Sequence, residues 1–224
     1  MTVTAGYQTN HISSQKISPL LKIPALLLSY LFHPIFIPLY VLLFIVYIHP
    51  SYFSGFSASA KFRTILILLQ NAVFYPLFCV LLLKGVGFID SVFLRTQKDR
   101  IIPYIASGIF FFWTFLVFKQ QPEFARILPS FMLGVFLASS AALIANIYFK
   151  ISMHAIGLGG MLGIFLIIAN SNSMLMTWPL STALLISGLV CTARMLISNH
   201  TAKDIYSGLS LGILAQFIAA YIIL

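Results

Sequence analysis

Acidic side chains are almost missing from this chain: of its 224 residues, only Asp90, Asp99, Glu123 and Asp204 carry a carboxylate. Cysteine is as scarce. Cys79 and Cys191 both fall inside apolar runs, so a disulfide framework is not expected and no Cys/His zinc spacing occurs. Charged residues of every kind make up only 8%. Strict apolar/polar alternation is absent, which argues against an outer-membrane barrel. No interval between apolar runs is long enough for a soluble domain, and there is no internal repeat or low-complexity tract. Residues 1–17 lack the basic, apolar and small-residue pattern of a signal peptide and read as a polar tail.

What is abundant is apolar side chain, 60% of the residues, with a mean hydropathy of +1.02. A soluble domain of this size has no interior large enough to hide that much, so the chain reads as an integral membrane protein. Lipid offers no partner for an unpaired backbone group, which makes the spanning segments helical. The expected fold class is all-α, a polytopic transmembrane helical bundle of six to seven spans, with residues 18–224 as a single domain. Apolar segments run at about 20–48, 64–84, 101–118, 127–149, 155–172, 177–197 and 205–224. The first carries Pro24, Pro34 and Pro38, so a kinked, tilted or re-entrant segment is expected. The fifth holds Ala155, Gly159 and Gly163 at four-residue spacing, with Gly157 and Gly160 nearby, a pattern that lets two helices approach closely in lipid.

A net charge of +9 raises nucleic acid as a partner, but the thirteen Lys and Arg are scattered at the ends of apolar runs with no basic helix or finger motif. Bilayer anchoring and anionic headgroups account for them better. Lys16, Lys22, Lys61, Arg63, Lys84 and Lys119 read as such anchors. His33 and His49 each precede a proline and read as structural or interfacial, and His11 lies in the tail. The run Phe110 to Trp113 reads as lipid-facing or packing surface.

The remaining polar residues form three clusters: Arg95 to Pro103, Lys150 to His154, and Arg194 to Asp204. Successive clusters are separated by two spans, so all three emerge on one side of the membrane. In the last, His200 and Asp204 are four residues apart. On a helix they share a face, so the carboxylate can orient the imidazole as a nucleophile or general base requires. Arg194 adds a cation able to hold a phosphate through two parallel hydrogen bonds. Glu123 falls in the loop on the opposite face, which leaves too few oxygen ligands for a carboxylate-bridged two-metal site.

At these residues the sequence resembles the type 2 phosphatidic acid phosphatase superfamily, the membrane-bound lipid phosphate phosphatases. That family's third motif, Ser-Arg, five residues, His, three residues, Asp, is matched in spacing by Ala193-Arg194, His200 and Asp204, with Ala for the leading Ser. Its second, Pro-Ser-Gly-His, corresponds to Ile151-Ser152-Met153-His154. Its first, Lys, six residues, Arg-Pro, is the most altered: Arg100 matches the arginine, Pro103 is displaced by two residues, and the lysine position falls on Phe93.

The resemblance implies metal-independent and cofactor-free hydrolysis of a lipid phosphate or pyrophosphate through a phosphohistidine. His200 is then the nucleophile, Asp204 its orienting partner and His154 the general acid. Arg194, Arg100 and Ser152 hold the phosphoryl oxygens, with Lys98 or Arg95 in place of the missing lysine. The substrates it admits include phosphatidic acid, phosphatidylglycerol phosphate, undecaprenyl pyrophosphate and a lipid A phosphate. The altered motifs admit a second function, a catalytically degenerate relative that binds anionic lipid or serves as an assembly partner. A transporter fits less well, because the charges gather at one face and not at mid-membrane. The expected location is the inner membrane of a bacterium. Nine cations on the clustered face against four on the other make that face cytoplasmic by the positive-inside rule, whereas bacterial members of the family usually place the site on the periplasmic side. The side stays open.

Overall fold

The computed structural model describes residues 18–89, 91, 97–171, 176–198 and 200–224. Their regular structure is entirely helical, as the composition requires. The polar tail at 1–17 lies outside the described residues.

The first apolar stretch is two helices. α1 (Pro19–Leu31) ends where His33-Pro34 interrupts the backbone ladder, and α2 (Ile37–Leu43) continues as a π-helical turn, Phe44–Ile48. Proline donates no amide hydrogen and pushes the residue before it out of the α region. The same chemistry ends the stretch, since His49 before Pro50 is extended at φ −71°, ψ 127°. The expected kink is therefore a full break, placed at Pro34. From there the chain runs alongside the fifth span. Pro34 and Ile37 lie against Gly157, Phe44 packs on Phe165 at 4.6 Å, and His49 and Pro50 arrive beside Met176 and Thr177.

Among the described residues, six helices are long and apolar enough to cross a bilayer. One is continuous from Ala58 to Gly85, built of α3 (Ala58–Leu68), a π-helical turn over Leu69–Phe74 and α4 (Tyr75–Gly85). Pro76 has no amide to donate to the preceding turn, which is where the ladder changes register. The others are α5 (Gln97–Lys119), α6 (Ile127–Tyr148), α7 (Met153–Ser171), α8 (Thr177–Ile197) and α9 (Ala202–Ile223). Hydroxyls within them return to their own helix, as Thr114 does to the Phe110 carbonyl at 2.7 Å and Thr192 to that of Gly188 at 2.8 Å.

α7 is the central helix, and its principal partner is α9. A Cβ on Gly159 would come within 2.2 Å of the Leu209 carbonyl oxygen, and one on Gly212 within 2.2 Å of that of Ile156. The two backbones therefore touch, which only glycine allows. This close approach brings the first turn of α7 to the first turn of α9. Outward faces carry large apolar side chains such as Ile109, Trp113, Ile144, Leu185 and Phe217, the arrangement a lipid solvent favours. The face bearing the start of α3 and the end of α5 is closed by Phe53, Phe56, Phe118 and Phe124, which pack as one aromatic cluster. Polar chemistry is concentrated at the opposite end.

Candidate active site

His200 is held between two helix caps. Behind it, the Ser198 hydroxyl and amide both donate to the Arg194 carbonyl and finish α8. Ahead of it, Thr201 opens α9 with a capping box: its hydroxyl accepts from the Asp204 amide at 3.3 Å, and Asp204 Oδ2 accepts from the Thr201 amide at 3.0 Å. The same Oδ2 lies 3.4 Å from His200 Nδ1. A carboxylate can only accept, so Nδ1 carries the hydrogen and Nε2 is left with a free lone pair.

His154 sits in the first turn of α7, 8% exposed, with Nε2 3.0 Å from the Ser29 carbonyl of α1. The carbonyl makes Nε2 the donor and leaves Nδ1 as the second ring position. His33, at the α1–α2 break, meets His154 edge-on with ring centroids 5.5 Å apart.

These groups line one cavity of about 860 Å³. Its polar end is formed by Arg100, Lys150, Arg194, His33, His154 and His200, and among the described residues no Asp or Glu lines it. Arg194 is half-buried, and its Nε is sealed from solvent without a hydrogen bond among the described residues. Below this end the walls are largely apolar, including Leu26, Ile37, Val80, Phe111 and Val135. Such a shape takes a molecule with an anionic head and an apolar body.

The electrostatics follow from this crowding. Burial lowers the pKa of His200 below its ordinary 6.5, the Asp204 hydrogen bond opposes that, and the positive charges of Lys150 and Arg194 reinforce it, for a net downward shift. His33 is lowered by burial first and by Arg194 second. Both imidazoles are thereby favoured in the neutral form.

Of the residues singled out by sequence, Arg100, His154, Arg194 and His200 come together on the cavity, and Asp204 stands directly behind His200. Ser152 does not line it. Fully buried, Ser152 spends its hydroxyl on the Ala155 amide at 3.5 Å, and its own amide donates to the Asp204 carbonyl at 3.3 Å. It thereby ties the start of α7 to the start of α9. Arg95 and the side chain of Lys98 lie outside the described residues. Lys150, Ser29, Tyr30 and His33 line the cavity although the sequence reading gave none of them a role in binding. Lys150 was open to detection, since it shares a cluster with His154. The α1–α2 residues were not, because only the tertiary fold lays that break over α7. Among the described residues, no three of His, Cys, Asp and Glu are grouped as metal ligands.

Comparison with protein-family models, with curated proteins and with solved structures finds no match.

Proposed function

We propose that this protein is a membrane-embedded hydrolase that removes phosphate from a phosphorylated amphiphile, with His200 as the nucleophile. The observation that carries this reading is the cavity lining: among the described residues, three cations and three histidines at one end, no carboxylate, and an apolar continuation below. His200 Nε2 attacks phosphorus, forming an N–P bond as the P–O bond to the leaving group breaks. His154, in its protonated form, gives a proton to the departing oxygen. Water then attacks the phosphohistidine, returns a proton to His154 and releases inorganic phosphate. Arg194, Arg100 and Lys150 offset the charge that develops on the phosphoryl oxygens. Asp204 holds the ring throughout and stabilises the positive charge it acquires. In a bacterial cell such a protein would reside in the inner membrane.

Phosphate release from a panel of lipid phosphates and pyrophosphates, assayed in detergent with EDTA, tests this directly. Turnover is expected to survive the chelator and to disappear in His200→Ala. Activity that persists in His200→Ala would remove the proposed nucleophile.

One observation favours a binding protein without turnover. Ser152 is committed to capping, and Met153, where the resembled motif has glycine, lines the cavity. Folded protein that binds lipid phosphates but releases no phosphate from any member of the panel would establish that alternative.

A further inference from the structure

The wall of the cavity just below its cationic end carries a hydrogen-bonding group that the phosphate chemistry leaves unused. Arg100 and Tyr104 are four residues apart on α5, on one face and separated by about 6 Å along the axis. Both line the cavity. The Tyr104 side chain packs against a buried apolar cluster that includes Ala138 and Ala142 of α6 together with Ile151 and Ile156. Its hydroxyl is sealed from solvent and makes no hydrogen bond among the described residues. Its neighbour Ser139 differs, because its hydroxyl donates to the Phe136 carbonyl at 3.1 Å. A buried phenol in apolar surroundings is unfavourable unless something accepts its proton, and a group held one turn below the phosphate-binding arginine is placed to meet a ligand.

We propose that Tyr104 recognises an ester carbonyl next to the phosphate, and hence that the cavity selects glycerol-based phospholipids over polyprenyl phosphates. In a diacylglycerol phosphate the ester carbonyl lies only a few bonds from phosphorus, a span comparable to the one helical turn between Arg100 and Tyr104. A polyprenyl phosphate presents only hydrocarbon there and leaves the phenol buried and unpaired, the arrangement by which a polar site rejects an analogue lacking its partner. The inference rests on the reading of the cavity as a phosphoamphiphile site, but it does not require turnover.

The test is equilibrium binding to the full chain in nanodiscs of neutral lipid. The probes are two non-hydrolysable phosphonates, one of an ester-linked diacylglycerol and one of a polyprenol. Wild type is expected to prefer the glycerol compound. Tyr104→Phe is expected to weaken that compound roughly tenfold, the effect of one hydrogen bond, and to leave the polyprenyl compound within about twofold. A dialkyl ether analogue, which has no carbonyl, is expected to lose a similar factor on wild type, so the test holds even where the variant does not fold. A polyprenyl preference, no binding of either probe, or ester and ether analogues bound equally would overturn the proposal. So would a variant that weakens both probes alike. Ester preference without phosphate release from any lipid would sink the hydrolase reading and leave this one standing. Phosphate release from both lipid classes at equal efficiency, unchanged in Tyr104→Phe, would do the reverse.

Discussion

The basicity of His200 is the outcome of a contest among its neighbours, and each contestant can be removed. Burial and the charges of Lys150 and Arg194 disfavour the imidazolium, while Asp204 favours it. A nucleophilic histidine must be unprotonated, so the acid limb of kcat/KM is expected below pH 6.5, the ordinary value for the side chain. Lys150→Met takes away a positive neighbour, which raises the His200 pKa and moves that limb to higher pH. Asp204→Asn takes away the group that favours the charged ring, so the limb moves to lower pH. The same change lets the ring adopt the wrong tautomer, and turnover on the plateau is expected to fall on the order of 10²- to 10⁴-fold. Movement of both limbs in one direction would show that these two residues do not act on His200 through charge. The pairing of His200 with Asp204 and Arg194 was open to a reader of the sequence because all three sit within one local stretch whose spacing survives folding. Tyr104 and His33 carried no such signal. Their importance depends on packed neighbours that are distant in sequence, the cluster around Ala138 and Ala142 for one and His154 for the other.

At the scale of the element, the α7–α9 contact determines whether the site exists, because it joins the first turn bearing His154 to the turn bearing Asp204. Gly159 and Gly212 meet backbone on the partner helix at distances no Cβ can occupy, whereas a Cβ on Gly188 of α8 would meet nothing within 4 Å. Gly159→Ala and Gly212→Ala are therefore expected to force the helices apart, costing about 1–3 kcal/mol or more and lowering the melting temperature in detergent. Gly188→Ala is expected to be neutral or to stabilise by up to about 1 kcal/mol, since alanine is the better helix former. Equal melting temperatures for all three would mean that α7 and α9 are not in backbone contact. The small-residue stripe on α7 was legible from its four-residue spacing, but the helix that would meet it was not. Helix starts were harder to read. Hydropathy marks only the apolar part of a helix, so the polar first turn of α5 and the stretch of α3 carrying Lys61 and Arg63 fell outside the apolar segments.

For the whole molecule, the order of spans leads to one geometric demand: the ends of α4, α6 and α8 and the beginnings of α5, α7 and α9 share a face. The bundle itself could be foreseen from composition, because lipid allows few other ways to satisfy a backbone this apolar. Its sidedness could not, and the cavity shows why. Arg100, Lys150 and Arg194, three of the nine cations on the clustered face, line it, and the proposed function would place them there to hold a phosphate. Without them six cations stand against four, and the positive-inside bias becomes slight. Convergence of the polar clusters does not depend on which side faces the cytoplasm, and it can be tested separately. In a background with Cys79 and Cys191 replaced by alanine, single cysteines at Lys84 and Lys203 are expected to react with a membrane-impermeant thiol reagent from one side. Cysteines at Lys61 and Lys119 are expected to react only from the other. Labelling of the Lys84 and Lys119 positions from the same side would mean that α5, which separates them, does not cross the membrane. The parity that brings Arg100 to His154 and His200 would then fail, and with it any reading of the cavity as a site.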